Sequence, residues 1–257
     1  MSEQAGFKDH FSGMAANYAK FRPRYPDPLF ADLAALVPRH DLAWDCGCGN
    51  GQATIGLAKH FGSVIGTDPS AAQIDNADTA PNIAYHVAAA EDAPVVPSGS
   101  VDLILAAQAA HWFDLDRFYD EVRRVAAPGA AVVLASYMPT VIEGDSATDA
   151  ALQDYYHNVV GPYWPPERVH VDNGYKLLSM PFPEETGPSH RIEEHWSLDR
   201  LIDYCGTWSA AKEYRRLKGT DPLPILREML SGVWTDPDQP KRIVWPIALR
   251  IGRVGGA

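Results

Sequence analysis

The chain has 257 residues, of which 46% are hydrophobic and 21% are charged, a composition typical of a globular protein with one sizeable core. Its 22 basic and 33 acidic residues give a net charge of −11, which would repel a nucleic acid or an anionic membrane, so we expect a small-molecule partner. We find neither a signal-peptide pattern nor an apolar run of ~20 residues, and this predicts a cytoplasmic protein.

Helices and strands alternate along the first half of the chain. The pair Asp27-Pro28 predicts the start of an amphipathic helix, with Asp27 as its N-cap. Gly62 predicts the end of the helix that follows Gly51, and Asp114 predicts the cap of another helix. Apolar runs predict five strands, which lie at about residues 42–46, 64–67, 83–87, 101–107 and 131–137. This alternation predicts an α/β fold, in which a mostly parallel sheet has helices on both faces.

The alternation breaks between about residues 139 and 188, where tyrosines, tryptophans and prolines are frequent. A long irregular segment of this kind predicts an insertion that caps a site, and its aromatic side chains suit a small-molecule pocket. An aromatic mini-core that attaches the insertion to the sheet explains the same residues equally well. Beyond it, the patterns predict a strand near 189–196, helices across 198–232 and a last strand at 243–251.

The cysteines and histidines do not form a pattern that indicates a disulfide or a metal site. Cys46 and Cys48 lie two residues apart in a tight turn, where a disulfide between them would be strained, and Cys205 is isolated. We therefore expect three reduced thiols. The 9 histidines have no metal-ligand spacing, which predicts a protein without a metal ion.

A glycine-rich turn follows the first predicted strand, where Asp45 precedes Gly47, Gly49 and Gly51. Glycines at these positions allow positive φ and let the backbone approach a ligand, while the next helix offers its N-terminal N–H groups. A dinucleotide dehydrogenase would need glycine in place of Gln52 and would not keep a carboxylate beside a pyrophosphate. The carboxylate of Asp45 suits a cationic ligand instead.

This turn resembles motif I of the class I S-adenosylmethionine (SAM) dependent methyltransferases, in which the acidic residue faces the methionine end of SAM and the glycines pass under its ribose. An apolar strand ends in Asp68, 17 residues after the last glycine of the turn, where a carboxylate can accept both ribose hydroxyl hydrogens. Pro69 is similar to the family's apolar residue beside the adenine. Glu91 and Asp92 lie in a segment that looks like its adenine loop.

Two further segments resemble one particular branch of this family. The run Q-A-A-H-W-F-D at 108–114 looks like the family's segment after the fourth strand. Together with F-R-P-R-Y-P at 21–26, it is similar to a branch that contains trans-aconitate methyltransferase-like proteins. The resemblance implies a Rossmann-like fold with a seven-stranded sheet and an antiparallel C-terminal pair, with SAM as methyl donor and S-adenosylhomocysteine (SAH) as product.

We predict that residues 1–257 form one methyltransferase domain. Its parts are a cover segment at 1–26, a SAM-binding core at 27–138, an inserted cap at 139–188 and a C-terminal part at 189–257. In the cover segment, Tyr18 and Arg22 are candidates to bind the methionine carboxylate of SAM, Arg22 through its guanidinium fork, and Arg24 is a further candidate.

Candidate residues for the reaction follow the fourth strand. Gln108 is a candidate to hydrogen-bond the methionine moiety, unless its side chain is bonded to the backbone. His111 is the candidate catalytic residue, either as a general base for a hydroxyl acceptor or as the group that orients a carboxylate, and a core histidine is the alternative. Trp112, Tyr163 and Trp164 are candidates to bind the acceptor. Candidate counter-charges for a carboxylate are Arg168, His170 and Lys212.

We therefore predict an enzyme that transfers a methyl group from SAM to an oxygen of a small molecule, a carboxylate or a hydroxyl. Methylation of nitrogen or carbon, and a non-catalytic protein that binds SAM or SAH, are the alternatives. We expect Asp68→Ala to weaken SAM binding with little effect on the stability of the ligand-free protein. We expect Gly47→Val to exclude SAM while the chain still folds, and a general-base role of His111 to give activity that rises through a pKa near ~6.5.

Overall fold

Nine strands form one sheet in the part of the chain that the computed structural model describes, residues 23–255. The strands are β1 (Leu42–Cys46), β2 (Ser63–Asp68), β3 (Ile83–Val87), β4 (Val101–Ala107), β5 (Ala126–Tyr137), β6 (Val141–Glu143), β7 (Glu184–Glu185), β8 (His190–Trp196) and β9 (Lys241–Arg253). Their order across the sheet is β3-β2-β1-β4-β5-β9-β6, and β7 and β8 also pair with β9.

Nine α-helices connect these strands within residues 23–255. They are α1 (Asp27–Ala35), α2 (Gln52–Leu57), α3 (Ala71–Ile74), α4 (Leu115–Val125), α5 (Ser146–Asp154), α6 (Arg168–Asp172), α7 (Leu198–Gly206), α8 (Ser209–Lys218) and α9 (Leu223–Ser231). Short 3₁₀ helices lie at Ala110–Trp112 and Gly161–Tyr163, and a π-helical turn lies at Tyr155–Val159. None of the helices described is long and apolar enough to cross a membrane.

The N-terminal half of the sheet is parallel, as the alternating pattern predicts. β1 pairs with β2 and β4, β2 with β3, and β4 with β5, all in parallel. The carboxyl ends of β1, β2 and β4 therefore lie along one edge of the sheet, which is where open α/β folds bind their ligands. The bounds predicted for β1, β3 and β4 agree with the structure.

The C-terminal half of the sheet is antiparallel and centred on β9. One edge of β9 pairs with β5 and then β6, and its other edge pairs with β7 and β8. The structure therefore confirms the fold class and the antiparallel C-terminal strands. It differs from the predicted seven strands by two short additions, β6 with 3 residues and β7 with 2, both within the predicted insertion.

The core lies on both faces of the sheet because β4 alternates its side chains between two apolar clusters. Leu103 and Leu105 face a cluster that contains residues of α1, α2 and α7 to α9, whereas Ile104 faces one that contains residues of α4. Helices on both faces are therefore confirmed. All three cysteine thiols are free and buried, as expected.

Some predicted boundaries are wrong. α1 begins at Asp27 itself, with Pro26 in the N-cap position. α2 ends at Leu57 rather than Phe61, since the backbone beyond it tightens into turns. β5 begins at Ala126, five residues early, because Val101 of β4 already pairs with Ala126 and the pairing resumes at Leu103 and Ala131 after a register shift. The interval from 139 to 188 also contains two helices that its sequence does not predict, α5 and α6.

Candidate active site

The glycine-rich turn is held against the end of β2. All three glycines have positive φ, 71° at Gly47, 54° at Gly49 and 83° at Gly51. The N–H groups of Gly47 and Cys48 donate to the carbonyl of Thr67 at 2.8 and 2.9 Å. Residues with a Cβ rarely adopt this left-handed backbone, so a side chain at any of these positions would strain the turn.

The three glycines face different surroundings. A Cβ on Gly47 would lie 2.5 Å from the Cβ of Ala109, and one on Gly51 would collide with the hydroxyl of Tyr85. A Cβ on Gly49 would have no atom of residues 23–255 within 4 Å. The expectation that Gly47→Val leaves folding intact is therefore wrong, because the new side chain would meet the protein itself. Gly49 is the position where the backbone faces open space.

Asp68 links this turn to the start of α3. Its carboxylate accepts hydrogen bonds from the backbone N–H of Gly49 and of Ser70, each at 2.9 Å, and the residue is 9% exposed. A carboxylate has about four acceptor positions, so it is chemically suited to bind ribose hydroxyls as well as backbone N–H groups. Asp68→Ala would also leave the two N–H groups without their acceptor, so the expectation of unchanged stability is wrong.

Asp45 lies under the turn and is fully buried. One carboxylate oxygen accepts from the Thr54 hydroxyl at 2.6 Å, and the other has no hydrogen-bond partner among residues 23–255. Burial raises the pKa of Asp45 to about 7, helped by the charge of Asp68 and opposed by the Thr54 hydrogen bond. An unpaired buried oxygen of this kind fits a neighbouring cationic group.

The candidate adenine residues differ in their roles. Glu91 accepts a hydrogen bond from the Asp114 backbone N–H at 2.8 Å, so its carboxylate ties the loop to the chain that enters α4. Asp92 and Pro69 are exposed. Pro69 therefore presents an apolar ring at the end of β2, next to the carboxylate of Asp68.

Gln108 redirects the chain at the end of β4. It is a non-glycine residue with positive φ, 57°, and its side-chain amide donates to the carbonyl of Tyr137 at 2.9 Å. The side chain is thus bonded to the backbone, which was the alternative to binding the methionine moiety, although its carbonyl oxygen can still accept. A strained backbone of this kind is common near functional sites, and here it leads into the 3₁₀ helix that carries His111.

His111 lies between aromatic rings and is mostly buried. Its Nδ1 is 2.8 Å from the hydroxyl of Tyr175, and its ring centroid is 4.8 Å from that of Trp112, which is 36% exposed. Burial lowers the pKa of His111 to about 3, and the charges of Arg168 and His170 lower it further. The imidazole is therefore neutral near pH 7, so the expected activity limb near ~6.5 cannot belong to His111.

Two of the three candidate counter-charges, Arg168 and His170, lie close enough to His111 to affect its pKa. The Nε of Arg168 donates to the Tyr156 hydroxyl at 2.8 Å and to Asp172 at 2.9 Å, and its guanidinium stacks 4.4 Å above the ring of Trp164. The Nδ1 atom of His170 is buried and has no hydrogen-bond partner in the described structure. α6 thus brings positive charge beside His111.

The aromatic residues of the insertion form the mini-core that was one of its two predicted roles, and its role as a cap over a site stays a prediction. Tyr155 and Tyr156 are buried, and both rings pack on Trp208, so this part is an aromatic mini-core. Trp164 joins the same cluster and contacts Arg168. Tyr163 packs instead against Tyr214 of α8, at 4.9 Å between ring centroids.

The remaining candidates lie elsewhere. Tyr18 and Arg22 lie outside the described residues, and Arg24 is exposed. Lys212 is in the first turn of α8. Two surface clefts, of about 360 and 470 Å³, border Arg123 on the far end of α4 and are lined by none of the candidate residues.

Sequence reasoning missed three residues that support the site. Thr54 bonds Asp45, Tyr175 bonds His111, and Arg250 of β9 donates to the carbonyl of Tyr175 at 2.9 Å. Tyr175 lies 64 residues from His111 in sequence, so no local spacing connects them. The turn-forming pair Asn173-Gly174 is the one signal that precedes it.

Comparisons with known proteins agree with this geometry. Residues 44–134 match the family model of the methyltransferase domain. A Dictyostelium discoideum protein assigned as a methyltransferase is 35% identical over 240 residues, which cover 93% of this chain and 91% of that protein. A Saccharomyces cerevisiae protein named as a SAM-dependent methyltransferase is 33% identical over 120 residues, 43% of this chain and 41% of that protein.

A solved structure supports the same assignment over nearly the whole chain. It is described as a type II methyltransferase from Anaeromyxobacter dehalogenans, and it is 48% identical with a TM-score of 0.85, covering 91% of this chain and 98% of that one. The matched region contains the glycine turn, Asp68 and the segment that carries His111. The chain therefore belongs to the class I SAM-dependent methyltransferases and is an enzyme.

Proposed function

We propose that this enzyme binds SAM along the carboxyl edge of β1, β2 and β4 and transfers its methyl group to a carboxylate oxygen of a small molecule. The proposed SAM site rests on one observation, the open space over Gly49 in the described structure. The N–H of Gly49 is fixed by the carboxylate of Asp68. A ligand can approach the backbone there without displacing a side chain, and a strong hydrogen-bond acceptor lies beside that space.

The residues around this space suit the parts of SAM in turn. The carboxylate of Asp68 suits the ribose hydroxyls because it is a charged hydrogen-bond acceptor at the end of β2, and the exposed ring of Pro69 suits one face of the adenine. The buried carboxyl of Asp45, with one unpaired oxygen, suits the positively charged end of the cofactor. Glu91 shapes the adenine loop through Asp114, and a backbone N–H such as that of Asp92 is the better candidate to read the adenine.

The proposal that the acceptor is a carboxylate rests on the charge around His111. A neutral imidazole with a pKa of about 3 is a poor base for a hydroxyl, because it holds a proton only weakly. A carboxylate acceptor is already deprotonated and needs no base. The guanidinium of Arg168 supplies positive charge at the same place, which favours an anionic acceptor over an amine.

The chemistry expected of the site is an in-line displacement. When bound, SAM supplies a sulfonium methyl group, which is attacked by the acceptor oxygen as the carbon–sulfur bond breaks, leaving SAH and a methyl ester. The work of the protein is then to align the two reactants and exclude water. His111 and the ring of Trp112 are placed to orient the acceptor, and Arg168 to balance its charge.

The acceptor class can be tested before the acceptor is identified. The protein is incubated with methyl-labelled SAM and a fractionated metabolite extract, and the labelled product is then treated with mild base. A methyl ester releases volatile labelled methanol, and this is the result we expect. Label that stays in the product after base indicates methylation of a hydroxyl, nitrogen or carbon and contradicts a carboxylate acceptor. Binding of SAM with no transfer from any fraction would indicate a non-catalytic binding protein.

The composition continues to support a small-molecule acceptor over a nucleic acid, since the net charge is −11. The cytoplasmic location remains a prediction from the sequence, as does the absence of a metal ion. The resemblance of two sequence segments to trans-aconitate methyltransferase-like proteins supports the same acceptor class as the charge of Arg168 beside His111.

A further inference from the structure

Tyr175 is a buried residue that nothing in its sequence pattern marks as functional. It is fully buried and has positive φ, 61°. Among residues 23–255, the only other non-glycine residue with positive φ is Gln108, three positions before His111. Both strained backbone positions therefore flank the same imidazole. Backbone strain of this kind persists only where the surrounding structure enforces it.

Contacts from three directions hold the backbone of Tyr175. Its N–H donates to the carbonyl of His170 at 2.8 Å, and its carbonyl accepts from Arg250 at 2.9 Å. Arg250 is itself held by both carboxylate oxygens of Glu184, at 2.8 and 2.6 Å. The preceding Gly174 lies so close to β9 that a Cβ on it would be 2.8 Å from the Cβ of Ala248. The phenol is thereby fixed relative to the sheet.

The hydrogen bond between Tyr175 and His111 has a preferred direction. A phenol has one hydrogen to donate and two acceptor positions on its oxygen. The Ser136 hydroxyl and the backbone N–H of His111 lie beside that oxygen and lower the pKa of Tyr175, which burial raises. The hydroxyl of buried Ser136 has no hydrogen-bond partner among residues 23–255. A phenol is a better donor than the N–H of a neutral imidazole, and an imidazole nitrogen is a better acceptor than a phenol oxygen, so the 2.8 Å contact favours a phenol hydrogen that points to Nδ1.

We propose that Tyr175 is a positioning residue that holds His111 as the tautomer with its proton on Nε2. His111 then presents an N–H donor to an oxygen of the acceptor and cannot serve as a base through that nitrogen. The role of this N–H toward the acceptor rests on the proposed function. The tautomer of His111 does not depend on that function. The charged and titratable groups that face His111 are Arg168 and His170 from α6 and Tyr175 after it.

The tautomer can be measured directly in the complete protein. Nitrogen-15 NMR of imidazole distinguishes a protonated ring nitrogen from an unprotonated one, and His111→Gln identifies the signals. We expect the unprotonated signal at Nδ1 and the protonated signal at Nε2, unchanged between pH 5 and 8. In Tyr175→Phe we expect this separation to be lost, with the two signals moving toward each other as both tautomers become populated.

Tyr119→Phe is the matched control. It also removes a buried phenol hydroxyl, one that donates to the carbonyl of Ser179 at 2.6 Å on the side of α4. Its His111 signals should match those of the parent protein. A proton on Nδ1 in the parent overturns the proposal even if Tyr175→Phe does not fold. Unchanged His111 signals in a folded Tyr175→Phe overturn the role of Tyr175. Calorimetry with SAM on the same parent sample tests the proposed function separately.

Discussion

At the scale of single residues, burial shifts the pKa values of two ionisable groups of the site in opposite directions, in each case toward the neutral form. Burial raises the pKa of Asp45 to about 7 and lowers that of His111 to about 3. A carboxyl at this pKa is poised to ionise when a cation arrives, whereas an imidazole at this pKa stays neutral. The two groups are therefore expected to differ in how they respond to pH.

The first prediction concerns the pH dependence of SAM binding. Because the pKa of Asp45 in the folded protein lies above its unfolded value, the protonated form dominates below about pH 7 and must lose its proton when the cationic cofactor binds. SAM affinity should therefore rise with pH between 5.5 and 7.5, by up to about tenfold per pH unit. Asp45→Asn should remove this rise. The measurement is SAM affinity by calorimetry at several pH values. The same pH dependence in the parent and in Asp45→Asn would show that ionisation of Asp45 is not linked to SAM binding.

The second prediction concerns Asp68. Asp68→Asn keeps one oxygen acceptor for the backbone but removes the charge offered to the ribose, so SAM binding should weaken by about 1–3 kcal/mol. Asp102→Asn is a matched control, since this buried carboxylate also accepts two backbone N–H groups, from Asp41 at 2.8 Å and Leu42 at 3.2 Å. We expect both variants to lose stability and only Asp68→Asn to lose affinity. Equal SAM affinity in Asp68→Asn and the parent would leave Asp68 with a structural role alone.

At the scale of elements, the glycine turn shows which of its three positions can be changed without disturbing the fold. A Cβ at Gly47 or Gly51 would meet Ala109 or Tyr85, whereas one at Gly49 would meet no atom in the described part of the chain. The sequence motif alone does not distinguish these three glycines. Their different surroundings come from the segment after β4 and from β3, which approach the turn only in the folded sheet.

The third prediction therefore uses Gly49→Leu. Its side chain would project into the open space over the turn, so SAM binding should be lost in a titration while the circular dichroism spectrum stays that of a folded protein. Gly99→Leu is the control, because Gly99 has a similar φ of 65° and also has no atom within 4 Å of a Cβ. It lies in the turn before β4, at the opposite edge of the sheet. Both variants place leucine at a similar positive φ, so backbone strain is matched between them. Parental SAM affinity in Gly49→Leu would show that the cofactor does not bind at this turn.

The strands of the parallel half could be predicted from the sequence, whereas the insertion could not. From Leu103 to Ala107, β4 is a continuous apolar run because both of its faces are buried, and such a run between two turns has few other interpretations. α6 has only 5 residues, and its position depends on the ion pair of Arg168 with Asp172 and on the stack of Arg168 over Trp164. Contacts of this kind form only after the sheet has assembled.

At the scale of the whole molecule, the site is formed where the two halves of the sheet meet. The cofactor candidates lie at the ends of β1, β2 and β4, which the motif spacing predicts. The partners of His111 come from the insertion, and β9 fixes them through Arg250, 75 residues beyond Tyr175. Sequence patterns locate the first set because it is local, and they miss Tyr175 because its role depends on pairing between distant segments.

The most direct test of the account is an experimental structure of the protein with SAH. We expect SAH over Gly49, with its ribose hydroxyls in hydrogen-bonding distance of the Asp68 carboxylate and its adenine against Pro69. The sulfur, from which the methyl group has left, should point toward the space between His111 and Arg168. SAH bound at any other surface, or with its ribose away from Asp68, would contradict the proposed site.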